Sequence, residues 1–140
     1  MSKQSIPTLT LTVSAAGVIA RYRGVGFNGA QASVQGQKIQ GVARVAAAAA
    51  ADKTPVDVAG STIVESGAAF AIGDSLIVDA QGRAIAQTSA LRVKAGAVAV
   101  TSTAANGAIL EGGDAPEYVF ADALEAATAA GEFVEVLLRR

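Results

Sequence analysis

The chain has 140 residues, enough for one domain with an independent core. It contains no cysteine and no histidine, which removes disulfides, thiol nucleophiles, histidine triads and the usual zinc ligands. Eleven Lys and Arg stand against 12 Asp and Glu, and no basic stripe interleaves with aromatics, so the charge pattern of a direct nucleic-acid binder is missing.

Hydrophobic residues make up 51% of the chain, but much of that is alanine, and aromatics are 4%. A core of Ala, Val, Ile and Leu has few bulky anchors, so burial per residue is modest and association with other chains is a natural source of stability. The start, Met1 to Pro7, lacks the apolar centre of a signal peptide. Asp52, Glu65 and Gly73 interrupt every candidate for a membrane-spanning run. The expectation is a soluble protein made in the cytoplasm, with no membrane partner.

Residues 1–7 are polar with one proline and read as an extended N-terminal arm, leaving 8–140 as a single β-domain. From Thr8 to Val13 the chain alternates strictly, with Leu9, Leu11 and Val13 on one face and Thr8, Thr10 and Thr12 on the other. It is the clearest strand in the sequence. Val18 to Arg23 reads as a second. Gly24-Val25-Gly26-Phe27-Asn28-Gly29 matches the dinucleotide fingerprint GxGxxG, and Asp52 follows at a suitable distance. That motif needs a helix opening at the glycines. Ala30 to Gly36 carries no helical apolar stripe, so the motif reads as a turn between strands.

Gly41 to Val45, the alanine run Ala46–Ala51, Asp52-Lys53-Thr54-Pro55 and Val56-Asp57-Val58 form one unit: strand, alanines, polar turn, strand with an acid between valines. The end of the chain, from Val119 through Ala126-Ala127-Thr128-Ala129-Ala130-Gly131 to Phe133-Val134-Glu135-Val136-Leu137-Leu138, repeats the plan. Matching Val56-Asp57-Val58 to Val134-Glu135-Val136, with a gap of about two residues, makes a pseudo-symmetric β-domain. The alanine runs are too short for isolated helices and are expected as short docked helical turns or ordered loops.

Between the copies, Thr62 to Glu65 and Ala68 to Ile72 are β-capable. Asp74 to Asp79 and Arg83 to Gln87 flank a Gln81-Gly82 turn and read as a hairpin. Leu91 to Val100 reads as a strand with a bend at Gly96, Thr101 to Asn106 as a polar loop, and Gly107 to Pro116 as turn-rich. The spacing predicts an all-β fold: a small β-barrel or β-sandwich with one or two short Ala-rich helical turns.

Catalysis has little to work with. The acids Asp52, Asp57, Glu65, Asp74, Asp79, Glu111, Asp114, Glu117, Asp122, Glu125, Glu132 and Glu135 show no spacing tied to a mechanism, and read as solvent-facing charges on strands and turns. A pair could still meet in space, which keeps a carboxylate-dependent hydrolase as an alternative. There is no GxxxxGK[ST] loop. No catalytic residue, cofactor, metal or small-molecule substrate is expected.

The closing segment Ala121 to Leu138 resembles the C-terminal signature of small phage capsid cement proteins, also called head decoration proteins. Gly41-Val42-Ala43, Val56-Asp57-Val58 and the Gly73 to Gly82 hairpin are similar to that family's middle, so the likeness spans roughly residues 8–138. Asp52-Lys53-Thr54-Pro55 departs from the family's usual glycine-acid pair. Some relatives carry a recombinase label, which the missing ATP-binding loop keeps from this chain. The resemblance implies a homotrimer on the outer surface of the icosahedral head, at junctions between capsomers, with the major capsid protein as partner, stabilising the mature expanded shell. It implies localisation to the virion after synthesis in the host cytoplasm. Within it, Ser2, Lys3, Gln4, Ser5, Ile6 and Pro7 are the candidate contacts to a neighbouring subunit. The alternative in the same class is a tail or baseplate β-module.

Overall fold

The structure, a computed structural model, describes residues 3–88, 101–102, 105–106 and 117–139. Its strands are β1 (Pro7–Ser14), β2 (Gly24–Gly26), β3 (Ile39–Ala43), β4 (Lys53–Glu65), β5 (Ser75–Val78), β6 (Ala84–Ala86), β7 (Thr101–Ser102), β8 (Ala105–Asn106), β9 (Ala121–Ala123) and β10 (Phe133–Leu138). The main sheet runs β2-β3-β4-β10-β9-β5-β6, with β1 added to β4, and β7 and β8 pair separately. The ends of the sheet meet. Gly24 N–H donates to the Gly82 carbonyl at 2.7 Å, and Gly36 N–H to the Val78 carbonyl at 2.8 Å. The result is an all-β, nearly closed barrel.

β4 is the spine. It is 13 residues long and bends at Gly60, whose φ of +93° suits glycine. A Cβ there would lie 2.5 Å from the Ile6 carbonyl, so the close crossing of β1 also demands glycine. The first half of β4 pairs with β1 and β3, placing Val13 opposite Thr54 and Ala43 opposite Val56. The second half pairs with β10, placing Val64 opposite Val134.

The expected repeat is present and runs deeper than the sequence indicated. Ile19 and Ala47 exchange both backbone hydrogen bonds, at 3.0 and 2.9 Å; Phe70 and Ala127 do the same at 3.0 Å. Ala15 N–H donates to Asp52 O as Ser66 N–H does to Glu132 O, and Tyr22 N–H donates to Ala43 O as Gly73 N–H does to Ala123 O. Left-handed residues recur in step: Tyr22 (φ 62°) with Gly73 (86°), and Ala51 (72°) with Gly131 (88°). This alignment sets Val56 against Val136, not Val134. The expected register is therefore two residues off. A slip of two keeps every side chain on its own face, so alternation alone cannot detect it.

The Ala-rich runs are not helical; no helix occurs among the described residues. Ala47 and Ala127 spend both backbone groups on bridges to Ile19 and Phe70, which leaves no helical ladder. The next turn is closed by a carboxylate. Asp52 Oδ2 accepts from Ala48 and Ala49 N–H at 2.9 Å, and Glu132 Oε2 accepts from Thr128 N–H at 3.0 Å. Val18 to Arg23 is also not a strand: it holds only the Ile19 bridge and a turn through Tyr22. Gly24 to Gly29 is a strand followed by a turn, as expected of a fingerprint without its helix. The β5–β6 hairpin is present, its turn braced by Asp79 Oδ1 accepting from Gln81 and Arg83 N–H. The expected strand from Leu91 to Val100 and the stretch from Gly107 to Pro116 lie outside the described residues. Within the expected 101–106 loop, β7 and β8 form a short antiparallel ladder.

Two buried clusters fill the barrel. The smaller holds Ala15, Ile19, Val25, Ala43, Ala47 and Val56, with Val13 and Val58 against it. The larger includes Val64, Phe70, Leu76, Ala123, Ala127 and Val136, together with Val42, Val78, Phe120 and Val134.

Candidate contact surface

The outer side of the β1–β4–β3 junction is built on Asp57. Its side chain is fully buried, in a strand position that the sequence pattern assigns to solvent. A buried carboxylate needs donors on its lone pairs. Arg44 Nη2 sits 3.0 Å from Oδ1, Thr10 Oγ1 donates to Oδ1 at 2.9 Å, Thr62 Oγ1 to Oδ2 at 2.8 Å, and Ser5 Oγ to Oδ2 at 3.4 Å. Asp57 thus ties β1, the residue that follows β3, both halves of β4 and the N-terminal residues at one point. Arg44 remains 39% exposed, so the pair stands at the surface boundary.

The predicted contact residues lie next to this node. Lys3 Nζ donates to the Phe133 carbonyl, Gln4 N–H to Glu135 Oε2 at 3.2 Å, and Ile6 N–H to Ser61 Oγ at 3.2 Å. Ser61 N–H returns a bond to the Ile6 carbonyl at 3.1 Å. Lys3, Gln4, Ser5 and Ile6 are exposed and Pro7 is half-buried; Ser2 lies outside the described residues. These residues cross the outer faces of β4 and β10, where every bond named is internal to the chain.

Beside them is a cluster that sequence reasoning missed. Tyr22 meets Phe133 edge to face, with centroids 5.3 Å apart, and Arg21 lies 4.3 Å over the Tyr22 ring. β10 splits its side chains: Val134, Val136 and Leu138 are buried, while Phe133 and Leu137 point out at 44% and 45% exposure. The alternation of β10 was the available signal for Phe133. Tyr22 had none, because a left-handed tyrosine follows from tertiary bonds alone. On another face, Lys38 sits 5.8 and 5.7 Å over the Phe27 and Tyr118 rings. It helps line an open cleft of about 120 Å³ with Ile39, Tyr118, Val119, Phe120 and Arg139.

The carboxylates are committed to structure. Glu65 pairs with Arg23, Asp79 with Arg83 and Asp122 with Arg139. Asp74 Oδ2 accepts from Ala71 N–H, and Glu125 Oε2 from Glu135 N–H. The Glu132 carboxyl is held below its ordinary value, chiefly by the Thr128 hydroxyl and N–H, with a smaller push from Lys3. Among the described residues no group of three or more His, Cys, Asp or Glu could hold a metal ion. Asp57, the one deeply buried acid in this set, is fully engaged by its donors.

No curated protein matches the chain. Among solved structures, the fold is similar to that described as the crystal structure of head fiber gp8.5 N base in bacteriophage phi29. The TM-score is 0.61 at 18% identity, covering 94% of this chain and 93% of that one. The family model for phage cement proteins matches residues 3–113. With most of the chain inside that match, the protein belongs to the phage cement protein family and is a non-enzymatic structural protein of the phage virion.

Proposed function

We propose that this chain decorates the outer surface of an assembled icosahedral head, as a homotrimer at junctions between capsomers. There it ties neighbouring major capsid subunits together and stabilises the expanded shell. The observation that carries the reading is the family match over residues 3–113. The physics of the chain suits it. An interface of about 800 Å² per partner is modest alone, but three copies joined in one particle engage several capsid subunits at high effective concentration. A protein that binds only the expanded arrangement stabilises that arrangement by linkage.

The contact in this reading uses Ser2 together with the face crossed by Lys3, Gln4, Ser5, Ile6 and Pro7, with 8–140 as the β-domain that presents them. Their shallow docking over β4 and β10 supports it: exposed side chains held by a few surface hydrogen bonds can exchange them for a neighbour's. Purified protein mixed with undecorated expanded heads is expected to bind at fixed stoichiometry and to raise the temperature at which the particles rupture. Heads that stay bare and rupture at the same temperature overturn the reading. Deleting residues 2–6 is expected to weaken binding while the trimer persists in sedimentation. Imaging labelled virions separates the head from a tail or baseplate location.

A further inference from the structure

We infer that the free edge of β1 is a contact between two copies of this chain, paired antiparallel about a two-fold axis at Leu11. The inference goes beyond decoration of the head and does not depend on it. Among the described residues β1 pairs with β4 alone. It is eight residues long, and the run from Thr8 to Thr12 is exposed on both faces. From Thr8 to Ser14 the strand carries no charge and no proline of its own, and among the described residues the one cation bonded to it is Lys53, at the Ser14 end. Such an edge is a template for another strand unless the protein blocks it.

The repeat shows how unusual this strand is. Aligning Val13 with Val64, which lie opposite Thr54 and Val134 respectively, places β1 on the second half of β4. Leu11 then corresponds to Thr62. Thr62 is 1% exposed and Leu11 is 42% exposed, with Leu9 at 48%. The covered strand carries the threonine and the bare one carries the leucines, the reverse of what a solvent-facing strand selects.

The sequence of β1 fits itself. Ala15 directs both backbone groups towards residues 51–52. By alternation Val13 and Leu11 face β4, and Thr10 and Thr12 aim their N–H and C=O groups at the open edge. With the axis at Leu11, Thr10 of one copy exchanges both hydrogen bonds with Thr12 of the other, and the reverse. On one face Leu11 meets Leu11, and on the other Thr10 meets Thr12, apolar with apolar and hydroxyl with hydroxyl, which is what stabilises antiparallel neighbours. The ladder of β1 on β4 is regular from Thr10 to Ser14, its register shifts lying between Pro7 and Thr10. No other strand edge of comparable length is open among the described residues. The contact needs no trimer; where the proposed trimer is built on another face, β1 stays free and the contact joins trimers in pairs.

The contact is small against the roughly 800 Å² per partner of a stable interface, so it is concentration-dependent and best read by cross-linking. The chain has no cysteine, which makes single-cysteine variants clean. At the axis Leu11 is a non-hydrogen-bonded pair, where the two side chains approach most closely. Leu11→Cys is expected to form a disulfide-linked pair under mild oxidation at least about tenfold faster than Ile72→Cys, a 70% exposed control. In sedimentation over a concentration series, the wild-type mass is expected to double, and Leu11→Lys to abolish the doubling with an unchanged circular dichroism spectrum. Equal cross-linking rates for the two cysteine variants, or a mass that Leu11→Lys leaves unchanged, overturns the inference.

Discussion

The two copies share a backbone and differ in what fills it. The Ile19–Ala47 bridge, the left-handed residues Tyr22 and Ala51 and the turn closed by Asp52 in the first have their partners in the second at Phe70–Ala127, Gly73, Gly131 and Glu132. Inside, the first copy places Ile19 and Val25 where the second places Phe70 and Leu76, while the positions of Ala43, Ala47 and Val56 are nearly unchanged as Ala123, Ala127 and Val136. The second copy therefore buries more apolar area at about 25 cal/mol per Å². Outside, the order reverses. Asp57 and Arg44 form a buried-to-boundary ion pair, and their counterparts Leu137 and Leu124 are an exposed and a half-buried leucine. The same frame is closed once by a larger apolar core and once by a smaller core with a polar clamp. What the copies keep in common is the bridge, the left-handed corner and the turn-capping carboxylate, and these define the unit.

Breaking the clamp is the largest expected effect. Asp57→Asn leaves Arg44 without its carboxylate and the buried site with misplaced donors. A cost of about 3 kcal/mol is expected in urea denaturation, at the low end for a broken buried pair because Arg44 reaches water. The matched change in the other copy, Leu137→Asn, is expected to stay within about 0.5 kcal/mol. Equal losses at the two positions would mean that the clamp does not distinguish the copies. Thr62→Val tests one donor of the node and is expected to cost about 1 kcal/mol.

The corners sharpen the comparison at smaller scale. A left-handed conformation costs a non-glycine residue about 1–2 kcal/mol, and glycine gives part of that back in chain entropy. Ala51→Gly is therefore expected to stabilise by about 0.5 kcal/mol, and Gly131→Ala to destabilise by about as much. Tyr22→Gly gains the same relief but loses the edge-to-face contact with Phe133 and the Arg21 stack, so a net loss of about 0.5 kcal/mol is expected. Urea midpoints of the three variants decide it. A Tyr22→Gly gain equal to that of Ala51→Gly would show that the aromatic cluster contributes nothing to the isolated chain.

Much of this was readable from the residues. Alternation located β1 and β10, the Gln81-Gly82 turn located the β5–β6 hairpin, and the alanine runs marked the repeat. Three things were not readable, for physical reasons. Alternation reports a strand and not its depth, so the pattern that located β1 did not show that it is the most exposed strand of the sheet. Period-two patterns are blind to a slip of two, so the acids of Val56-Asp57-Val58 and Val134-Glu135-Val136 matched although one is buried at a strand junction and the other receives Gln4 N–H at the surface. Helix propensity could not foresee that Ala47 and Ala127 give their backbone groups to distant strands. The contact face was legible only as a polar N-terminus; Tyr22, Arg44 and Asp57 are assembled by tertiary bonds.

The smallest expected effect concerns Glu132, the turn-capping carboxylate of the second copy, and it depends on pH. Glu132 is held below its ordinary value mainly by the Thr128 hydroxyl, then by the Thr128 N–H and Lys3. A carboxyl depressed in the folded state contributes stability that is present above its unfolded value and lost as pH falls through the folded one. The turn at 128–132 is therefore expected to loosen below the ordinary glutamate range, about pH 4.3. Because the group is exposed, the effect is slight and best read at the site. Thr128→Ala removes both the side-chain donor and the local brace, and NMR titration is expected to show the Glu132 midpoint moving up towards its ordinary value. Removing Lys3 along with residues 2–6 is expected to move it by less. A larger shift from that deletion would mean that the N-terminal residues, and not the turn, set the charge of Glu132, and would transfer the brace of the second copy from the shared frame to the proposed contact face.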